Sequence, residues 1–292
     1  MTLDKGFEQF VRRAEPLAPH TWFHLGGPAE YFAEPQTVDQ LQALVRRCHE
    51  SNTPVRLLGG GSNVLVRDEG LAGVVVHLYA AAFSGITIGN RTVAAGGGAK
   101  LGQAISASVR EGLGGLETLV GIPGTIGGAL HGNAGSHGGD IGQWTSRASV
   151  MTRAGEIIER SREELVFAYR ESSLDELVIL SAQFELEQDD PEELTKRMQK
   201  QWIIKKANQP LGHQSAGCIF KNPRGMSAGM LIDQAGLKNT RYGQAEVSDR
   251  HANFIVAEAG ATSHDVLRLI ELVRERVAER LGIDLATEIE IW

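Results

Sequence analysis

An α+β fold, with helices packed against mostly antiparallel sheets, is the expectation from three features of this chain. Strand-like apolar runs dominate up to residue 186. The stretch Glu185–Glu193 then holds six carboxylates in nine residues together with Pro191, a composition that suits a domain boundary. Beyond it the pattern shifts to helices with a few short strands between them. No internal repeat or low-complexity tract competes with this reading.

The elements follow in order. Residues 21–32 read as a turn at Gly26-Gly27-Pro28 entering a short strand. Thr37-x-x-Gln40 is a capping box, and Val38, Leu41, Leu44, Val45 and Cys48 share one helical face, which makes Cys48 core. Strands are expected at 55–58, 64–66, 74–78, 85–88 and 92–95. Leu101, Ala104, Ile105, Ser108 and Val109 predict a helix that stops near Gly112. Strands near 148–152 and 156–159 follow. Ser161-x-x-Glu164 should cap a short helix ending at Tyr169-Arg170, before a long strand over 177–186. Past the acidic stretch the expectation is helix 192–207, strand 218–221, helix 228–235 and strand 253–256. The last helix carries Val266, Leu269, Ile270, Val273, Val277 and Leu281, is ended by Gly282, and precedes a closing strand at 285–291.

Glycine points to chemistry. Residues 121–135 contain six glycines and Pro123, and Gly59-Gly60-Gly61-Ser62-Asn63 and Gly96-Gly97-Gly98 each follow an apolar run. Each glycine costs backbone entropy, so such density needs a reason. Consecutive free N–H groups in loops of this kind form an anion-binding concavity suited to a pyrophosphate. Neither G-x-G-x-x-G opening a helix nor G-x-x-x-x-G-K-[ST] is present, so a Rossmann dinucleotide site and a P-loop are both excluded. A dinucleotide held by several glycine loops points to a flavin in a non-Rossmann fold. The expectation is that Gly59–Asn63 and Gly124–Gly128 approach its pyrophosphate too closely to admit a Cβ.

Charge narrows the partner. The chain carries −7 overall, yet residues 196–250 hold ten Lys/Arg against three Asp/Glu, leaving −14 elsewhere. A basic segment in an acidic protein attracts a particular anion and not nucleic acid in general. Two cysteines make no disulfide framework and fit a reducing compartment. The first ten residues, MTLDKGFEQF, lack the apolar core of a signal peptide, and no apolar run is long enough to span a membrane. A cytoplasmic protein without an obligate protein partner is expected. Nine histidines without metal-ligand spacing argue against a metal. Gly225-Met226-Ser227-Ala228-Gly229 matches the G-x-S-x-G of esterases, but Pro223 stands where a strand should lead into the serine, so Ser227 reads as a helix N-cap.

Six motifs then occur in order: GGGSNVLV (59–66), GLETLVGIPGTIGGALHGNAG (115–135), YRES (169–172), SAGCIFKNP (215–223), AGLK (235–238) and VSDRHANFIV (247–256). Together they resemble the UDP-N-acetylenolpyruvoylglucosamine reductase family, from about residue 21 to 290. The compact C-terminal part is similar to the shorter, type II-like version, without an additional substrate-covering insertion. The resemblance implies a lead-in (1–20), an FAD-binding domain of the vanillyl-alcohol-oxidase/PCMH type in two α+β lobes (21–190), and a smaller substrate domain (195–292). FAD would contact Gly59, Gly60, Gly61, Ser62, Asn63, Gly121, Ile122, Pro123, Gly124, Thr125, Gly127, Gly128, Asn133 and Gly135. NADPH would reduce it and leave. Hydride would then pass to C3 of the enolpyruvyl group of UDP-N-acetylglucosamine enolpyruvate. Arg170 and Glu288 would stabilise the charge near C2, and the residue at 218 would protonate C2. Lys221, Asn222, Lys238 and His251 would hold the diphosphate and carboxylate.

Three positions depart from the family pattern: Cys218 where serine is usual, Ala257 for asparagine, and Asn239 where glycine is common. The first bears on mechanism. The same fold also serves flavin oxidases with other substrates, and a sugar-nucleotide sensor without catalysis is a second alternative. The SAGCIFKNP segment argues against the former, and joint retention of Arg170, Cys218 and Glu288 against the latter.

Overall fold

The computed structural model describes residues 3–136 and 139–292, and its mixed helices and sheets are the α+β class expected. The chain forms two compact units that exchange segments. The first takes in Met1–Ala14, Glu30–Gly60 and Ala72–Ile203; the second takes in Glu15–Ala29, Gly61–Leu71 and Ile204–Trp292.

The first unit has two apolar cores. One lies beneath a four-stranded sheet ordered 11–16, 28–33, 71–77, 55–58. The helix Val38–Glu50 buries Leu41, Leu44, Val45 and Cys48 there. Thr37 Oγ1 accepts from Gln40 N (3.2 Å), while the Gln40 side chain accepts from Gln36 N (2.7 Å), one residue earlier than a standard box. The other core fills one side of a five-stranded antiparallel sheet ordered 157–161, 145–151, 178–185, 92–96, 86–88. Ala182 pairs with Ala148 on one side and Ala95 on the other, a row of small residues on which the helices Leu101–Arg110 and Ile126–His131 can lie close.

The second unit is built on the helices Ala228–Gln234 and Ser263–Leu281 and a small antiparallel sheet of 241–242, 245–247 and 255–257. Thr262 and Asp265 form a reciprocal capping box at the start of the long helix, and Gly282 ends it at φ +69°. Strand 64–65 pairs in parallel with 290–291, which ties two distant parts of the chain into this unit.

Several expected elements differ. Ser161 and Glu164 do form a capping box, but only a single 3-10 turn, Arg162–Glu164, follows it. Leu165-Val166-Phe167, rich in bulky and branched side chains, leads instead into a hairpin of 167–168 with 171–172. Segments 218–221 and 285–289 are extended but make isolated bridges, Cys218 with Phe254 and Phe220 with Thr287, and the closing strand is only 290–291. A strand at 11–16 and a helical turn at 81–84 also form where none was expected.

Candidate active site

In the second unit the site is organised by the extended segment Cys218–Lys221. Ile219 and Phe220 are fully buried and anchor it, leaving half-buried Cys218 and Lys221 at its two ends. Ile219 N donates to Asn253 O, Glu288 N donates to Ile219 O, and Lys221 N donates to Ala286 O, each at 2.8 Å. Cys218–Lys221 therefore runs between 252–254 and 286–289, which brings Cys218, Lys221 and Glu288 onto adjacent lengths of backbone. Asn63 holds the far side: its Nδ2 donates to Glu288 O (3.1 Å) and its carbonyl accepts from Glu290 N (3.0 Å).

A residue that motif reading missed locks this arrangement. The Asn253 side chain is buried at 3 % exposure. Its Oδ1 accepts from Phe220 N (2.9 Å) and its Nδ2 donates to Phe220 O (2.8 Å), so one amide bonds both backbone polar groups of a buried residue. The available signal was an amide inside the apolar run Ala252–Ala257, where it must find partners. His251, two residues earlier, accepts from Asn253 N on Nδ1 (3.3 Å) and sets its ring edge-on to Phe254 at 4.8 Å. Burial lowers the His251 pKa; a backbone hydrogen bond opposes this and the charge of Lys238 adds to it. The ring is thus held neutral, as acceptance at Nδ1 requires. Lys238 pairs with Asp233 at 2.9 Å. Asn222 Oδ1 accepts from Ala228 N (2.9 Å) and Ser227 Oγ from Met230 N (3.3 Å). Ser227 is a helix N-cap, as its context indicated, and no strand leads into it.

Arg170 and the central glycine loop belong to the first unit. Arg170 is the second residue of the two-residue turn between 167–168 and 171–172, and lies at φ +58°. Its Nη2 donates to Gly135 O at 3.1 Å, and the guanidinium lies 5.1 Å from the Tyr169 ring centroid. Thr125 caps the helix Ile126–His131, its Oγ1 accepting from Gly128 N at 3.4 Å.

The glycines have two distinct reasons. A Cβ at Gly96, Gly97 or Gly98 would lie 2.1, 1.9 or 2.1 Å from the carbonyl oxygens of Phe83, Ile179 and Leu78. That third stretch is glycine because the backbone packs on itself. The same holds at Gly60, where a Cβ would stand 2.8 Å from Gly124 Cα, and at Gly127, 3.1 Å from Gly97 O. Gly128 differs: it is exposed, is not at positive φ, and a Cβ there would meet only Thr125 Oγ1 at 3.5 Å. The protein's own packing does not require glycine at 128, and there is open space over the helix's first turn. A surface of loop backbone with room at Gly128 fits a bound dinucleotide pyrophosphate.

Among the described residues, no group of three His, Cys, Asp or Glu side chains is placed to hold a metal ion, and no helix is long and apolar enough to cross a membrane. Residues 29–161 match an FAD binding domain, and residues 209–292 match the UDP-N-acetylenolpyruvoylglucosamine reductase C-terminal domain. The chain is 43 % identical to the UDP-N-acetylenolpyruvoylglucosamine reductase of Heliobacterium modesticaldum over 95 % of this chain and 89 % of that one. With the enzyme of the same name from Listeria innocua it shares 40 % identity over 96 % of this chain and 94 % of the relative. The crystal structure of UDP-N-acetylenolpyruvylglucosamine reductase from Thermus caldophilus superposes with a TM-score of 0.83 at 36 % identity, covering 97 % of this chain and all of that one.

Proposed function

Because the chain belongs to the UDP-N-acetylenolpyruvoylglucosamine reductase family, and is an FAD-dependent oxidoreductase, we propose that it reduces UDP-N-acetylglucosamine enolpyruvate to UDP-N-acetylmuramate with NADPH, in the cytoplasm, as a step of peptidoglycan precursor synthesis. The observation that carries this reading is the convergence of Cys218, Lys221 and Glu288 on adjacent backbone, with neutral His251 two residues from the Asn253 clamp. In this reading 21–190 holds FAD and 195–292 holds the sugar nucleotide.

FAD, when bound, supplies the chemistry of accepting a hydride from NADPH and delivering one to C3 of the enolpyruvyl group. Residues 59–63, 121–125, 127, 128 and Gly135 would hold it, with Gly128 leaving space beside it. The chain's own residues handle the charge and the proton. As C3 gains hydride, negative charge builds toward C2 and its carboxylate; its stabilisation is assigned to the Arg170 guanidinium and to Glu288, which must be protonated to donate a hydrogen bond to it. Cys218 holds the proton destined for C2. A thiol is far more acidic than an aliphatic hydroxyl, so cysteine can take the place usually filled by serine. Lys221, Asn222, Lys238 and His251 bind the diphosphate and carboxylate, which accounts for the local basic excess.

The test is anaerobic titration of the yellow holoenzyme. NADPH should bleach it, and the enolpyruvyl sugar nucleotide should restore the colour with a product two hydrogens heavier. Bleaching without restoration by that substrate would refute the assignment and leave a flavin oxidoreductase of other specificity.

A further inference from the structure

We propose that Asn133 is a positioning residue for Arg170: its buried amide ties down the hairpin whose turn carries the guanidinium. The proposal rests on the reading of Arg170 given above and assigns Asn133 a role other than cofactor contact.

Asn133 lies just beyond the helix Ile126–His131, at φ +40°, a region that asparagine tolerates better than most residues. Its side chain is buried at 1 % exposure. Nδ2 donates to Ala168 O at 2.8 Å, and Oδ1 accepts from Gly142 N at 3.1 Å. Both heteroatoms are thus engaged by the chain itself. Ala168 is the residue directly before the Tyr169-Arg170 turn and pairs with Glu171 across it. Two residues beyond Asn133, Gly135 O receives the Arg170 guanidinium at 3.1 Å. Segment 133–135 therefore grips the hairpin twice, once by the backbone entering the turn and once by the side chain leaving it.

Such a grip is needed because Arg170 stands at φ +58°. The second position of a turn with positive φ is ordinarily glycine or asparagine, and a long side chain persists there only when its surroundings impose it. Without the amide the turn can relax, and the guanidinium moves with it. Gly142 reinforces the arrangement from the other side. A Cβ there would stand 2.3 Å from Phe167 Cγ, so the loop that donates to Asn133 also packs under the hairpin's first strand.

Two variants separate positioning from cofactor contact. Asn133→Gly permits the backbone angle and removes the amide. Asn133→Asp keeps the acceptor for Gly142 N and loses the donor to Ala168 O. In the holoenzyme both should retain flavin content and bleach with NADPH at the unmodified rate. Reoxidation by the enolpyruvyl substrate should fall about 100-fold, the scale of an ångström's misplacement of a charge-stabilising group. On an Arg170→Ala background the same changes should add less than about threefold, since the group being positioned is gone. Amide hydrogen exchange over 166–173 should speed up. Loss of flavin, bleaching slowed as much as reoxidation, full multiplicative losses on Arg170→Ala, or unchanged hairpin exchange would each overturn the proposal. If the unmodified enzyme is not reoxidised by that substrate, the function reading fails on its own. Flavin content and hairpin exchange in the variants then still decide the positioning.

Discussion

Replacing Asn253 by alanine should destabilise the second unit by about 3 kcal/mol without changing what the unit is made of. The change removes both partners of the Phe220 peptide, whose side chain is 1 % exposed and whose N–H and C=O are bonded to Asn253 at 2.9 and 2.8 Å. Each buried group left unsatisfied costs about 1–3 kcal/mol. Water or a slight backbone shift can relieve them in part, which places the total in the lower half of the combined span of about 2–6 kcal/mol. In a protein of 292 residues, at about 2.1 cal/mol/K of unfolding entropy per residue, that corresponds to a fall in thermal midpoint of about 5 °C. Thermal unfolding followed by ultraviolet circular dichroism measures it directly, with flavin saturation held equal between samples. Asn253→Asp adds a sign test. Ionised, it cannot donate to Phe220 O; protonated, it restores both bonds. Its folded pKa is therefore raised, and its deficit against the unmodified protein should shrink as the pH falls from 8 to 5. A loss below about 1 kcal/mol for the alanine variant, or a pH-independent deficit for the aspartate one, would refute the clamp.

Gly128→Ala should leave folding untouched, because the added carbon makes only ordinary contact, and should lower flavin occupancy; a fully yellow variant would remove Gly128 from the cofactor surface. Cys218→Ser should remain active, whereas Cys218→Ala should bleach with NADPH yet scarcely reduce substrate; normal turnover of the alanine variant would give the proton to another group. Iodoacetamide should modify half-buried Cys218 first, with substrate protecting it, because burial pushes the Cys48 thiol up to about 11 and leaves little thiolate there; faster labelling of Cys48 would contradict the burial. His251 has a folded pKa below its unfolded value, so its contribution to stability is complete above about pH 6.5 and is lost as the pH falls through the folded pKa. His251→Gln should flatten the decline in urea stability between pH 7 and 5, and parallel curves for the two proteins would count against the depressed pKa.

What could be read from the sequence was what is local in the chain. Helix 38–50 announces itself by spacing and by its N-terminal cap, and helix 263–281 by spacing and by the glycine that ends it. Ser227 was legible as a cap because proline stands four residues before it. The hairpin at 167–172 was not, since each arm pairs only two residues and leaves no alternation to detect. The interleaving of the units was equally invisible. It depends on pairings such as 64–65 with 290–291, two residues long and more than two hundred apart. Gly96–Gly98 shows the limit of composition as evidence: glycines expected to face a cofactor are there required by close backbone packing. Only the contact a Cβ would make tells the two reasons apart.

Motif order located the candidate site for a related reason, and missed its support for the same one. Cys218 and Lys221 lie in a recognisable string and Glu288 followed from the family resemblance, so they could be named one by one. What fixes the segment carrying Cys218 and Lys221 is a side-chain amide 33 residues from its backbone partner in the second unit, and the Arg170 turn in the first unit is bonded by another amide 35 residues away. Asparagine suits both places because one planar group both donates and accepts, and so can replace a missing sheet neighbour where the backbone departs from regular pairing. The extended segment 218–221 and the tight turn at 169–170 are irregular structures of that kind. Each holds a charged or proton-bearing side chain at its end, and each accepts, besides backbone and other bonds, one buried asparagine amide. In each unit, then, a buried asparagine adds to the backbone bonds that hold a functional side chain in place without itself needing to touch substrate.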